Sequence, residues 1–147
     1  MKFNELEFIN IEKNSEIHIS ELFKILEKRK FNISHENLPD FNSHRNFVLN
    51  HPYRFWKIVK NKNKIIGTFY ITFDNVIGIN LIKPSKTLYI DLIKKIFEIC
   101  TPLEENKSMR SKYFLVNVNP DNRKLIEALK TLGLEHIQNT FAYKNFS

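Results

Sequence analysis

Leu125, Ala128, Leu129 and Leu132 recur at spacings of three and four, which lays them along one stripe of a helix. Asp121 or Asn122 can cap the start of that helix, and Gly133 supplies a left-handed stop. Just upstream, residues 113–118 are β-branched and aromatic, as strands prefer. The unit therefore reads as strand, capped helix, glycine stop, and a further strand that starts after Gly133 and runs towards Tyr143.

The rest of the chain follows in the same way. Residues 6–11 alternate and predict a first strand. A helix is predicted over residues 15–30, with Ile19, Leu22, Phe23 and Leu26 on one face, and then a polar loop over 31–41. A short helix over 43–49 is stopped by Pro52. Residues 54–60, 64–73 and 76–82, separated by turns at 61–63 and at Asp74-Asn75, predict an antiparallel meander. Alternation puts Phe55, Lys57 and Val59 on one face of the first of these strands and Trp56, Ile58 and Lys60 on the other. Thr87 then opens a third long helix that buries Tyr89, Leu92, Ile93 and Ile96, followed by a loop over 101–111. The expected architecture is one α/β domain over residues 1–147, in which a meander gives way to two βα crossovers.

Composition narrows the function classes. A chain of 147 residues can bury a core without a disulfide or metal staple. The single cysteine, Cys100, has no intrachain partner and reads as a small buried hydrophobe, which suits a reducing, cytoplasmic setting. No apolar run approaches a membrane span of about 20 residues. With Glu5 and Glu7 near its start, the chain lacks the layout of a signal peptide. The expectation is a soluble, unprocessed protein. The formal charge of +7 comes from scattered lysines with no arginine-rich stripe among exposed aromatics. That distribution fits a solvated lysine-rich surface best, an anionic small molecule next and a polynucleotide least.

No His/Cys/Asp spacing fits a metal site, no serine sits in a nucleophile-elbow motif, and there is no GKS/T phosphate loop. His51, and His35 with Glu36, are candidates for accepting a proton from an ammonium group. His18 and His136 read as structural. Arg45 and Arg54 could meet a phosphate or carboxylate, but ordinary surface pairing explains them better.

The segments Trp56-Lys57-Ile58-Val59, Ile65-Ile66-Gly67-Thr68-Phe69-Tyr70 and Asn75-Val76-Ile77-Gly78-Ile79-Asn80, together with the unit from Asn122 to Leu134, carry a resemblance over essentially the whole chain. It resembles the GNAT superfamily of N-acetyltransferases. The last unit is similar to that family's asparagine followed, at fixed spacing, by a small or apolar residue, an apolar pair and leucine-glycine-aromatic, with Leu134 where the aromatic is usual. Phe31, His44 with Phe47 and Val48, and His51-Pro52-Tyr53 look like members that acetylate amino sugars on nucleotide carriers, or ribosomal-protein N-termini.

The resemblance implies a GNAT-like mixed, mostly antiparallel sheet of six or seven strands flanked by about four helices, its fourth and fifth strands splayed apart. It implies acetyl-CoA as cosubstrate in that splay, with Ile79, Leu81, Ile82, Lys83, Lys86, Thr87, Leu88 and Asn122 as its contacts. The pyrophosphate would lie at the start of the helix that follows the fourth strand. Asn117, Asn80 and His51 are the implied catalytic groups, and Tyr70 is a further polar candidate. The acceptor would be a small-molecule primary amine, favouring a nucleotide-linked amino sugar, with a protein N-terminus second. The last strand could pair across a two-fold axis in a homodimer.

Two departures stand out. The phosphate loop, Lys83-Pro84-Ser85-Lys86-Thr87-Leu88, has none of the family's glycines, and Leu129 replaces the tyrosine that protonates the leaving thiolate in many members. These keep open a degenerate GNAT-like domain that binds a ligand without catalysis.

Overall fold

The computed structural model describes residues 5–29 and 38–145. Phe31, His35 and Glu36 lie outside the described residues. The elements run β1 (Leu6–Asn10), α1 (Glu16–Glu27), α2 (Phe41–Leu49), β2 (Tyr53–Asn61), β3 (Lys64–Thr72), β4 (Val76–Leu81), α3 (Lys86–Ile99), β5 (Leu115–Val116) and α4 (Arg123–Thr131). The sheet has the order β1-β2-β3-β4-β5, antiparallel except for the parallel pair β4 and β5.

Local chemistry sets these boundaries. Lys62 and Asn63 both take positive φ, 51° and 63°, giving the two-residue turn that joins β2 to β3. Asp40 caps α2, its carboxylate accepting from the Ser43 N–H at 2.8 Å, so α2 starts two residues earlier than predicted. Ser85, not Thr87, caps α3, and Asn122 caps α4. At the far end of α4, Gly133 sits at φ 85°. There the Leu134 N–H donates to Leu129 O and the Gly133 N–H to Lys130 O, closing the glycine stop as the pattern predicted.

Two helices cover each face. On one side α3 and α4 lay Leu88, Leu92, Ile93, Ile96, Leu125, Ala128 and Leu129 onto Val59, Phe69, Ile71 and Ile77. On the other, α1 and α2 bring Ile19, Leu22 and Val48 onto Ile58 and Trp56. The split between Val59 and Ile58 is the predicted period-two alternation. Phe69 is completely buried, and a side chain of that size contributes about 2–3 kcal/mol by leaving water. His44 ties α1 to α2: its Nε2 pairs with Ile19 O at 2.9 Å.

The expected last strand does not form. Among the described residues the sheet has five strands rather than six or seven, and residues 135–145 form no ladder. Ile137, Phe141 and Tyr143 stand 68, 90 and 70 % exposed. The stretch has strand chemistry, but a strand exists only against a neighbour, and among the described residues no strand pairs with it. β5 is likewise cut to Leu115–Val116. Among the described residues no helix is long and apolar enough to cross a membrane.

Candidate active site at the strand splay

The gap between β4 and β5 begins with Asn75. This residue is fully buried at φ 65° in the β3–β4 turn, a conformation asparagine tolerates better than most. Its side-chain amide donates to Leu103 O (3.0 Å) and Ser111 O (2.8 Å), while its Oδ1 accepts from the Leu103 N–H at 2.8 Å. Its own carbonyl accepts from the Leu115 N–H at 2.9 Å. One side chain thus fastens the loop after α3 and starts β5 beside β4.

The pairing then stops. Val76 faces Leu115 and Ile77 faces Val116, and no further rung follows although β4 continues to Leu81. The chain is turned away at Asn119, whose Oδ1 accepts from the Asp121 N–H and whose carbonyl accepts from the Asn122 N–H, both at 2.9 Å. The direction of the freed groups follows from parity. Asn75 points its carbonyl at β5, whereas the Ile82 N–H donates to Ile66 O on β3. Odd-numbered residues of β4 therefore face β5, which leaves the backbone N–H and C=O of Ile79 and Leu81 directed into the gap.

Arg29, Ile79, Asn80, Leu81, Pro84, Tyr89 and Asn122 line this gap. Ser85 Oγ accepts from the Leu88 N–H at 3.1 Å and Ser85 O from the Tyr89 N–H. The N–H groups of Lys86 and Thr87, first in the helix, have no carbonyl within it to bond. Lys83, Lys86 and Thr87 are exposed around this helix start, and Lys124 Nζ donates to Pro84 O at 3.3 Å. Pro84 and lysines thus surround this helix start, where the resemblance implies glycines.

Asn122 is committed at both ends. Its Oδ1 accepts from the Leu125 N–H, so its Nδ2 must be the end that donates to Tyr89 Oη at 3.3 Å. Tyr89 therefore accepts from Asn122 and keeps its own hydroxyl proton for another partner. Burial pushes this phenol above its ordinary value, with the Asn122 bond opposing.

The predicted residues divide accordingly. Ile79, Asn80, Leu81 and Asn122 meet at the gap, while the backbone donors of Ile82 and Leu88 are already used by Ile66 and Ser85. Asn117 is exposed just past β5. Phe114, Val116 and Val118 pack on the α3/α4 side, so alternation sets Asn117 on the opposite face. His51 is not at the gap. Its Nδ1 accepts from the Tyr53 N–H at 3.1 Å, and its ring packs on Trp56 at 5.0 Å. The Nδ1 that accepts this bond carries no proton, and burial, then Lys13, lower the ring's pKa from its ordinary value. Arg45 pairs with Glu16 at 2.7 Å and Arg54 donates to Thr101 O at 2.9 Å. His18 accepts from the Glu12 N–H. Among the described residues no group of three or more His, Cys, Asp or Glu could hold a metal.

Arg29 and Tyr89 line the gap although the sequence pattern does not single them out. In the sequence Arg29 belongs to a basic run at a helix end and Tyr89 to an apolar stripe, and only the packing of α1 and α3 brings them to the gap. Beside them, Tyr70 lies flat over Gly78, where a Cβ would come within 2.0 Å of its ring. Tyr70 also stacks on Tyr53 at 4.0 Å with 2° between planes, and burial pushes both hydroxyls up.

No family model matches the chain, and no curated protein matches it. Solved structures do. An aminoglycoside N-acetyltransferase, AAC(6')-Iy, in complex with the bisubstrate analog CoA-S-monomethyl-acetylneamine, superposes with TM-score 0.64 at 14% identity, covering 97% of this chain and 99% of that one. An integron cassette protein from the V. cholerae mobile metagenome gives 0.62 at 12% identity, covering 96% and 93%. A possible acetyltransferase from Clostridium difficile 630 gives 0.56 at 12%, covering 97% and 99%. At such identities the likeness speaks for architecture, and the chain has the fold of the GNAT N-acetyltransferases.

Proposed function

We propose that this protein is an N-acetyltransferase that moves an acetyl group from acetyl-CoA to a primary amine by direct attack. The observation that carries the reading is the loss of pairing after Ile77 and Val116 while β4 runs on, which frees the backbone of Ile79 and Leu81. A pantetheine arm is a chain of amides. It can replace the missing strand by bonding those groups, and the Lys86 and Thr87 N–H groups with Lys83 and Lys86 suit its pyrophosphate. The superposition on a CoA-bound acetyltransferase supports the same placement.

In the reaction the amine lone pair bonds the acetyl carbon, and the carbonyl oxygen takes up negative charge that a backbone N–H of β4 can stabilise. The C–S bond then breaks, the nitrogen gives up one of its protons to solvent as the amide forms, and CoA leaves as a thiolate that gains a proton. Leu129 is buried in the core and offers none. Tyr89, with its own proton uncommitted, is the hydroxyl in the gap suited to that transfer. Asn80 and Asn117 share the face opposite α3 and α4, where an acceptor would approach, and can orient it. A nucleotide-linked amino sugar remains the favoured acceptor.

The outer edge of β5 supports a two-fold assembly. Phe114 and Val116 turn their backbone away from β4, next to an apolar groove formed by Phe97, Cys100, Pro102, Phe114 and Leu134. Residues 135–145 of a second copy have the alternation to pair there. Light scattering on the full chain should give twice the monomer mass, and a chain ending at Leu134 should give one.

Acetyl-CoA should raise the melting temperature by several degrees at 1 mM, and amine-dependent release of free thiol should follow. No stabilisation at millimolar cofactor would exclude the transferase.

A further inference from the structure

Arg29 has an unusual setting for a cation. It follows α1, its N–H donating to Leu26 O, and its side chain reaches over β4 to line the gap beside Ile79, Asn80 and Leu81. It forms no ion pair and no side-chain hydrogen bond among the described residues, and none of the residues lining the gap is acidic. Partial burial pushes its guanidinium below the ordinary value, with Tyr70 opposing, and no carboxylate among the described residues offsets the lost water. Its rigid fork of five donors thus lines the gap from the end of α1, on the sheet face that α1 and α2 cover and where Asn80 also stands.

We propose that Arg29, flanked by Tyr70 and Asn80, holds an anionic group of the acceptor, so that the substrate is an amine carrying a carboxylate or phosphate rather than a polycation. The inference rests on the acetyltransferase reading and sharpens it. A guanidinium on the acceptor side binds planar or tetrahedral oxyanions in bidentate fashion. It repels an ammonium-rich molecule such as neamine, whose acetylated analog is bound in the similar structure. The charge of +7 acts in the same direction by drawing anions towards the molecule. A nucleotide-linked amino sugar meets this requirement through its phosphates.

The test uses the full chain saturated with CoA and matched pairs of amines: glucosamine 1-phosphate against glucosamine, glycine against methylamine, and neamine alone. Calorimetry should show an anionic member binding about 10- to 100-fold more tightly than its neutral partner, with neamine weakest. Arg29→Gln should bring that ratio close to one, and Arg29→Lys should restore part of it. The CoA dissociation constant should shift less than about threefold in either variant, each confirmed as folded by its melting transition. If no anionic member outbinds its partner, or the ratio survives Arg29→Gln, the proposal is overturned. If Arg29→Gln instead weakens CoA tenfold or more, the anion belongs to the cofactor and the acceptor assignment falls. If the wild type binds no CoA, the transferase reading falls first and takes this inference with it, a result readable before any amine is added.

Discussion

Ile77 on β4 faces Val116 on β5 in the last rung that joins the two strands, and the candidate site opens just beyond it. One rung earlier the parallel pair is secured from the turn by Asn75. Beyond Ile77 the strands part, and two residues on the Ile79 backbone is free. The position of the gap is therefore set by where Asn75 starts β5 and where Asn119 turns it away.

Asn75→Ala leaves the Leu103 N–H and the carbonyls of Leu103 and Ser111 without their partner and puts alanine at φ 65°. Urea denaturation should show a loss of about 3 kcal/mol. Affinity for acetyl-CoA should fall as well, because β5 loses its anchor. Asn75→Gly accepts the backbone angle but not the hydrogen bonds, so it should recover only part of the stability.

Tyr89→Phe removes the hydroxyl proton at the gap and leaves the ring in the core. If Tyr89 protonates the leaving thiolate, kcat should fall about 100-fold with little change in CoA affinity. A kcat within threefold of wild type would assign that proton to water.

Gly133 and Gly78 predict opposite kinds of damage. At Gly133 there is no atom within 4 Å of a Cβ, so Gly133→Ala meets only the cost of φ 85°, about 1 kcal/mol. At Gly78 the same change drives a methyl into Tyr70. Gly78→Ala should displace that ring and weaken acceptor binding more than cofactor binding. Chemical denaturation and separate titrations of the two ligands distinguish these effects.

Burial holds His44 below its ordinary value of 6.5, with the bond to Ile19 O opposing. A depressed histidine binds fewer protons folded than unfolded, so its stabilising contribution is complete above the unfolded value and is lost as pH falls through the folded one. Urea midpoints should therefore decline from pH 7.5 to pH 5, and the decline should be shallower in His44→Gln. His51, shifted the same way by burial and Lys13, adds to the slope.

The sequence reads well wherever structure is decided locally. Leu125 to Gly133 announces a helix with its stripe, cap and stop within a dozen residues, and Phe55 against Trp56 states its own alternation. Residues 135–145 mislead because strand chemistry is only half of a strand, the other half being a partner strand, and none of the described strands pairs with them. Asn75 can be read as a turn residue but not as an anchor, since Leu103 and Ser111 reach it only after α3 has packed. Arg29 could not be singled out at all, because nothing local places the end of α1 over β4.

The most direct test of the account is the backbone amide spectrum of the protein during titration with acetyl-CoA. The amides of Ile79, Leu81, Lys86 and Thr87 should shift together along one saturating curve, while that of Ile82, already bonded to Ile66, moves little. If those four stay in place at millimolar cofactor, or the changes gather on another surface, the gap between β4 and β5 does not receive the pantetheine arm and the account is wrong.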